Sequence, residues 1–423
     1  MAEPGPELSP EERAMLAGER GPAARTAMRI LVETARAMGA DRFVEISRAH
    51  VDGCLYHGRA GLDFAERLLA EGARVSVPTT LNVGLLDLLH PELVRADPET
   101  RRAARRLMEA YVAMGCRPTW TCAPYQLPDA RPGLGEQVAW AESNAIVFAN
   151  SVLGARTERY GDFLDICAAV AGRAPYVGLH TDEGRRARVA FRLEGVPERL
   201  LASDVCYPVL GHLVGREAGS RVPAIVGLPP GTAEDRLKAL GAAAASSGSV
   251  AMFHAVGVTP EAPTLEAATG GAAVPEVAVT PERLRRARDE LTTAGGSELA
   301  AVSVGTPHAS VGELERLAEL LDGVRIAPGV GFYVNTSRAT LAEAERRGVA
   351  EALARAGVRI VTDTCTYLAP VIGEVRGPVM TDSAKWAWYA PGNLGIEVVF
   401  GSLEECVRSA ALGRVVRDER LWS

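Results

Sequence analysis

A chain of 423 residues, 47% apolar and 23% charged, carries enough hydrophobic material for two or three packed domains. Its net charge of −7 offers no basic field for a phosphate backbone, which argues against a nucleic-acid partner. Seven cysteines without paired spacing form no secreted disulfide framework, and no run of about 18 apolar residues reads as a membrane span. The start, Met1-Ala-Glu-Pro-Gly-Pro-Glu, has neither the basic nor the apolar region of a signal peptide. These features point to a soluble protein of a reducing cytoplasm.

In chain order, Ser9-Pro10-Glu11-Glu12 reads as a helix start with a capping box, and the helical pattern runs on towards Gly39. Arg42–Ser47 alternates as a strand that ends at Ala49-His50-Val51-Asp52-Gly53. A helix around Leu62–Glu71 and a strand at Ala73–Val77 follow. Later strands are predicted at Pro175–Leu179, Ala224–Leu228, Val250–His254, Leu299–Val304, Val324–Ala327, Val358–Thr362 and Gly395–Phe400. Strands separated by helices argue for an α/β fold of mostly parallel sheets covered by helices. The Gly/Ala-rich stretch at 266–277 reads as a connection between lobes 1–265 and 278–423. Gly241–Ser249 is also rich in small residues, which close packing explains as well as function does.

In such sheets ligands bind beyond the carboxyl ends of the strands. The unusual polar clusters lie at those ends: Ala49-His50, Pro78-Thr79-Thr80-Leu81-Asn82, Thr121-Cys122, Gly305-Thr306-Pro307-His308 and Asp363-Thr364-Cys365. Cys122 and Cys365 are far apart in sequence and fit no compact metal motif. They are either small buried hydrophobes or single ligands gathered from distant loops.

Ser383 and Lys385, in a Gly/Pro-bounded loop over Met380–Gly392, suit a carboxylate or phosphate; the competing reading is a solvated lysine beside aromatic packing. His308, before a helix capped by Ser310, is either a proton-transfer group or structural. Glu142 and Ser143 open a helix that is strongly apolar afterwards, and a buried acid there needs partners. No dinucleotide fingerprint, phosphate-binding loop, nucleophile elbow or metalloprotease histidine pair is present.

These segments together resemble the large, catalytic subunit of aconitase X, a branch of the aconitase superfamily. The matching stretches are Ala49–Tyr56 with Gly61-Leu62, Val77–Gly84, Thr121–Tyr125, Ala139–Gly154, Gly305–Ser310, Asp363–Cys365 and Met380–Gly392, in family order across nearly the whole chain. The resemblance implies one catalytic region over 1–423 of aconitase-like, multi-lobe α/β architecture. It implies a hydro-lyase that depends on an iron–sulfur cluster and acts on a small hydroxy acid, cis-3-hydroxy-L-proline or mevalonate 5-phosphate. Cys122 and Cys365 map onto family cysteine positions; Ser383 and Lys385 suit anion binding. His50, Thr79, Thr80, Asn82, Glu142, Ser143 and His308 suit polar lining or proton transfer.

The chain departs from the pattern in three places. Thr306 stands where many relatives carry cysteine, and its hydroxyl is a poor iron ligand. Cys54 is then the expected third thiolate beside Cys122 and Cys365. Asp382 and Ala384 stand where asparagine and glycine are expected. The family's small swivelling domain is not recognisable in the chain, so the resemblance implies a small partner subunit. Thr306 and Cys54 lean towards hydroxyproline as substrate. A phosphate would call for several cations, and only Lys385 is evident, with Arg59 and Arg338 more distant. The competing reading from another class is a cluster-free binding or scaffold protein.

Overall fold

The computed structural model describes residues 5–373, 375 and 377–422. Its contacts divide the chain into two compact units. One takes the chain up to Leu86 and Asp97–Arg186; the other takes Asp87–Ala96 and the chain from Ala187 onward.

In the first unit Ser9 and Glu12 form the expected capping box at the start of Pro10–Ala17. That helix stops earlier than the pattern implied, because Gly18 adopts φ 90°, a left-handed turn open to glycine without strain. A second helix, Pro22–Met38, packs its apolar face on Leu164–Ala171. The centre is a three-stranded parallel sheet in which Ala49–Val51 lies between Thr79–Leu81 and Ala139–Trp140. Register places His50 opposite both Thr80 and Trp140. Phe43–Glu45 pairs antiparallel with Arg173–Pro175. The strand expected at Ala73–Val77 is a loop, fixed by Val75 N donating to Met114 O and Ser76 N to Ala169 O; the strand begins after Pro78.

The second unit holds two sheets with every pairing parallel. One has the order His254–Ala255, Pro223–Val226, Val189–Leu193, Glu276–Val279. The other has the order Val358–Val361, Gly331–Thr336, Ala301–Ala309, Val379–Thr381, Val398–Phe400. In this second sheet the chain winds from Ala301–Ala309 to one side and later returns to the other. The strand order therefore reverses between Ala301–Ala309 and Val379–Thr381, the kind of place where parallel sheets open a crevice. Val302, Val304, Phe332, Val334, Met380 and Val399 give the sheet its core against Leu314 and Leu317.

Four further expectations change here: the strand expected at Pro175–Leu179 ends at Pro175, and that expected at Val250–His254 is reduced to His254–Ala255. Val324–Ala327 is not a strand; the apolar run that pairs begins at Gly331. The stretch 266–277 lies inside the second unit rather than joining lobes. Leu265–Thr269 is helical, Gly270 and Gly271 turn the chain with positive φ, and Glu276–Val279 adds an edge strand. Composition alone could not separate a linker from this turn. Packing explains the small residues of Gly241–Ser249. Helices Cys206–Ala218 and Glu234–Gly248 approach so closely that a Cβ on Gly211 or Gly215 would collide with the backbone of Leu240 or Ala244. Of the described residues, no helix is long and apolar enough to cross a membrane. All seven cysteines are buried and none is bridged.

Candidate functional site

In the first unit, polar side chains collect at the carboxyl ends of the three parallel strands. His50 is buried, and its Nδ1 shares a 2.8 Å hydrogen bond with Thr80 Oγ1. Its Nε2 has no partner among the described residues. Burial pushes the imidazole down to about 3, so it stays neutral. Asn82 donates to the Asp52 carboxylate. Asp165, in turn, accepts from the Asp52 and Gly53 amides at 2.7 and 3.1 Å and so fixes that turn. Burial raises both acids to about 7, with the charge of Glu142 adding to the effect on Asp52.

Neither acid was among the sequence candidates. Asp165 left a signal, a lone acid in the apolar run Leu164–Ala171. Asp52 left one too, two residues from His50 at a strand end. Thr79, by contrast, donates its hydroxyl to Val77 O at 2.8 Å and serves the backbone.

Cys122 follows the buried Thr121, and its carbonyl accepts from Asn144 Nδ2 at 2.9 Å. Asn144 also donates to the Glu142 carboxylate and accepts from Tyr125 Oη at 2.6 Å. Glu142 sits at φ 73° as the cap of Ser143–Phe148, accepting from Ala145 N at 2.9 Å and Ser143 Oγ at 3.3 Å. The partners a buried acid requires are therefore present. They tie Glu142 and Ser143 to the Cys122 loop.

Cys54 does not fit the thiolate role expected of it. Its Sγ is fully buried and lies 3.3 Å from Asn82 O, with Val51 O and Val83 O nearby. Burial first, then the charges of Asp52 and Asp165, hold the thiol well above its ordinary value. A thiol ringed by carbonyls and acids keeps its proton.

In the second unit His308 and Cys365 come together at strand ends, their ligand atoms within 4.8 Å of one another. His308 is buried and its Nε2 lies 3.2 Å from Thr364 O. A carbonyl only accepts, so Nε2 carries the proton and Nδ1 presents its lone pair. Burial pushes this imidazole down to about 4. A thiol and a neutral imidazole form a donor set for a soft or borderline transition metal.

The Cys365 turn is rigidly held. Asp363 (φ 59°) takes a two-point ion pair from Arg338 at 2.6 Å and accepts from Leu88 N at 3.0 Å. Thr362 donates through N and Oγ1 to Asp87 at 2.9 and 3.0 Å. Arg338 is thereby committed and unavailable as a phosphate ligand.

Ser383 and Lys385 lie in no loop. Ser383 caps helix Ala384–Leu394, accepting from Trp386 N at 3.1 Å and donating to Thr306 O at 2.5 Å. Lys385 is 2% exposed, which rules out a solvated surface lysine. Its Nζ lies 6.0 Å from the centre of the Tyr367 ring. Pro391 and Gly392 do not break the segment; Pro391 lies within the helix and Gly395 closes it.

Sequence comparison then decides the family. The chain matches the aconitase X first domain over residues 5–183, the second domain over 187–289 and the third domain over 299–412. The chain belongs to the aconitase X family. It is 46% identical over 422 residues to cis-3-hydroxy-L-proline dehydratase of Pseudomonas aeruginosa, covering 99% of this chain and 72% of that protein. It is 39% identical over 406 residues to the phosphomevalonate dehydratase large subunit of Methanothermobacter thermautotrophicus, covering 95% of this chain and 98% of that one. The crystal structure of Thermococcus kodakaraensis aconitase X in its holo-form superposes with a TM-score of 0.85 at 35% identity, covering 96% of this chain and all of that one. The expected α/β aconitase X architecture and hydro-lyase class are both borne out.

Proposed function

We propose that this aconitase X chain dehydrates cis-3-hydroxy-L-proline with an iron–sulfur cluster held by Cys122 and Cys365, and with His308 rather than Cys54 as a further donor. The observation that carries the metal part is the Cys365–His308 pair, thiol and neutral imidazole within 4.8 Å at strand ends. The substrate reading is supported by identity: 46% to the hydroxyproline enzyme against 39% to the phosphomevalonate subunit. When bound, the cluster supplies a Lewis acid for the leaving hydroxyl.

The chain's own residues supply the rest. A base takes the C2 proton, the C3 hydroxyl departs with a proton as water, and the electron pair left on C2 closes the C2–C3 double bond. Groups available to hold or move those protons are His50, Glu142 and Ser143. Of these, His50 keeps an unpartnered, buried Nε2. Lys385 and Ser383 bind the carboxylate, while Thr80 and Asn82 position His50 and Asp52. Thr79 contributes through its backbone.

We further propose a small partner subunit. The hydroxyproline relative extends beyond the 72% that this chain matches, whereas the archaeal protein, matched over 98%, is by name a large subunit. Anaerobic purification with that partner, followed by turnover of both candidate substrates, tests the reading. A brown protein holding iron and sulfide that releases water from cis-3-hydroxy-L-proline is expected. A colourless but active enzyme would remove the cluster, and turnover of mevalonate 5-phosphate alone would reassign the substrate.

A further inference from the structure

In the first unit two neighbouring strands end side by side, and the residues just past them continue the pairing. Register sets His50 opposite Thr80, and Asn82 N donates to Val51 O at 2.9 Å. Side chains two apart share one face of a strand, so Asp52 joins His50 there and Asn82 joins Thr80. The bonds agree: His50 Nδ1 meets Thr80 Oγ1, and Asn82 Nδ2 donates to the Asp52 carboxylate.

That face is satisfied on one side only. A carboxylate accepts, so the Asn82 amide turns its nitrogen to Asp52 and leaves its oxygen over. Asn82 is 2% exposed, and its Oδ1 has no partner among the described residues. His50 is fully buried, and its Nε2 has none either. Two stranded polar atoms on neighbouring strands are costly unless a ligand meets them.

The Asp52 carboxylate has the same need. Among the described residues the Asn82 amide is its one hydrogen-bond partner, and it makes no ion pair. The charges acting on it are those of Glu142, Asp162 and Asp165, all acids, which add to burial in lifting its carboxyl to about 7. Part of its surface nevertheless stays open to solvent, so a ligand can reach it.

A cation with N–H donors answers these groups. A metal ion fits poorly, because among the described residues His50, Asp52 and Glu142 do not gather their ligand atoms within 4.8 Å. A ring ammonium fits better. Its two N–H groups match a carboxylate and the amide oxygen beside it.

We propose that Asp52 receives the ring ammonium of a cyclic amino acid, with Asn82 Oδ1 as the second acceptor, which makes Asp52 the residue that selects amino-acid substrates. This rests on the hydroxyproline reading above and deepens it. In such a ring the nitrogen is bonded to C2, so an ammonium seated on Asp52 brings the C2 proton towards the face that carries His50 Nε2. A hydroxy acid without the ammonium leaves Asp52 unanswered and is disfavoured.

Calorimetry on the anaerobically prepared protein with its partner subunit tests this with two unreactive probes. They are L-proline and tetrahydrofuran-2-carboxylate, the same ring with oxygen in place of the ammonium. Wild type should bind L-proline about tenfold or more tighter, the worth of one hydrogen bond to a charged group. Asp52→Asn keeps the shape and removes the charge. It should bind both probes alike, with affinity for the oxygen ring unchanged. A wild type that does not discriminate, an Asp52→Asn protein that still does, or equal weakening of both probes overturns the proposal. The wild-type comparison tests it without any variant. Turnover of both candidate substrates by the same preparation separates the two failures. Turnover of cis-3-hydroxy-L-proline without probe discrimination removes only the role of Asp52, while turnover of mevalonate 5-phosphate alone removes the substrate reading beneath it.

Discussion

Asn335 and Thr366 hold each other by two hydrogen bonds: Thr366 N donates to Asn335 Oδ1 at 3.0 Å, and Asn335 Nδ2 donates to Thr366 Oγ1 at 3.1 Å. The same hydroxyl accepts from Trp386 Nε1 at 2.9 Å and shares a 2.6 Å bond with Ser303. One buried oxygen therefore joins the residue after Cys365 to three neighbouring elements, including the helix that carries Lys385. Thr366→Val keeps the shape and removes the oxygen, leaving the Trp386 donor unsatisfied, while Asn335 Nδ2 keeps Val304 O at 2.9 Å. At about 1–3 kcal/mol for one stranded group, a loss of about 1–3 kcal/mol is expected. Thr366→Ser should recover most of it. Denaturant unfolding of the pair checks this, and equal midpoints would show that the network contributes nothing.

The acids of the first unit predict a pH dependence of stability. Burial raises Asp165 and Asp52 to about 7, above the ordinary aspartate value of 3.8. Between about 4 and about 7 the folded unit therefore keeps protons that the unfolded chain has released. Its stability falls as pH rises through that window and levels off above it. Asp165→Asn retains an oxygen for the Asp52 and Gly53 amides while removing the titration. Its unfolding midpoint should vary less than wild type between pH 5 and pH 8. A variant curve parallel to wild type would contradict the assignment.

Much of this organisation is legible in the sequence because it rests on periodicity and capping. The box at Ser9/Glu12, the cap at Ser310 and the alternation of strands with helices reappear as read. What was not legible depends on partners distant in the chain. Ser383 and Lys385 sit among Trp386, Trp388, Pro391 and Gly392, a composition typical of loops, yet burial of the indole and a cap at Ser383 make the segment a helix. Cys54 lies at a strand end like a ligand should, and only the carbonyls of Asn82 and Val83 reveal that its proton is held.

Lys385 is buried at the start of its helix, with its ammonium over the Tyr367 ring, so charge and packing are separable there. Lys385→Met retains the apolar stem and deletes the ammonium. If Lys385 binds the substrate carboxylate, KM for cis-3-hydroxy-L-proline should rise about tenfold or more, the scale of one hydrogen bond to a charged group. Unchanged KM would remove Lys385 from the site, and a large drop in midpoint would make its role structural.

The two cysteines that follow strand ends make opposite predictions. Cys365 has His308 within 4.8 Å, so its sulfur has a metal-competent neighbour; Cys54 has carbonyls and the acids Asp52 and Asp165. Cys365→Ser should lose bound iron and sulfide, the visible absorbance and the dehydration together. Cys54→Ala removes a thiol that holds its proton and should leave iron content and colour at wild-type levels. It costs stability only through the small cavity it opens, about 1 kcal/mol. His308→Ala, if the imidazole is a donor, should lower iron content without unfolding the chain. Metal analysis on anaerobically prepared proteins decides among these. Iron lost from Cys54→Ala and retained by His308→Ala would reverse the assignment and restore Cys54 as the third thiolate, against the burial that disfavours it.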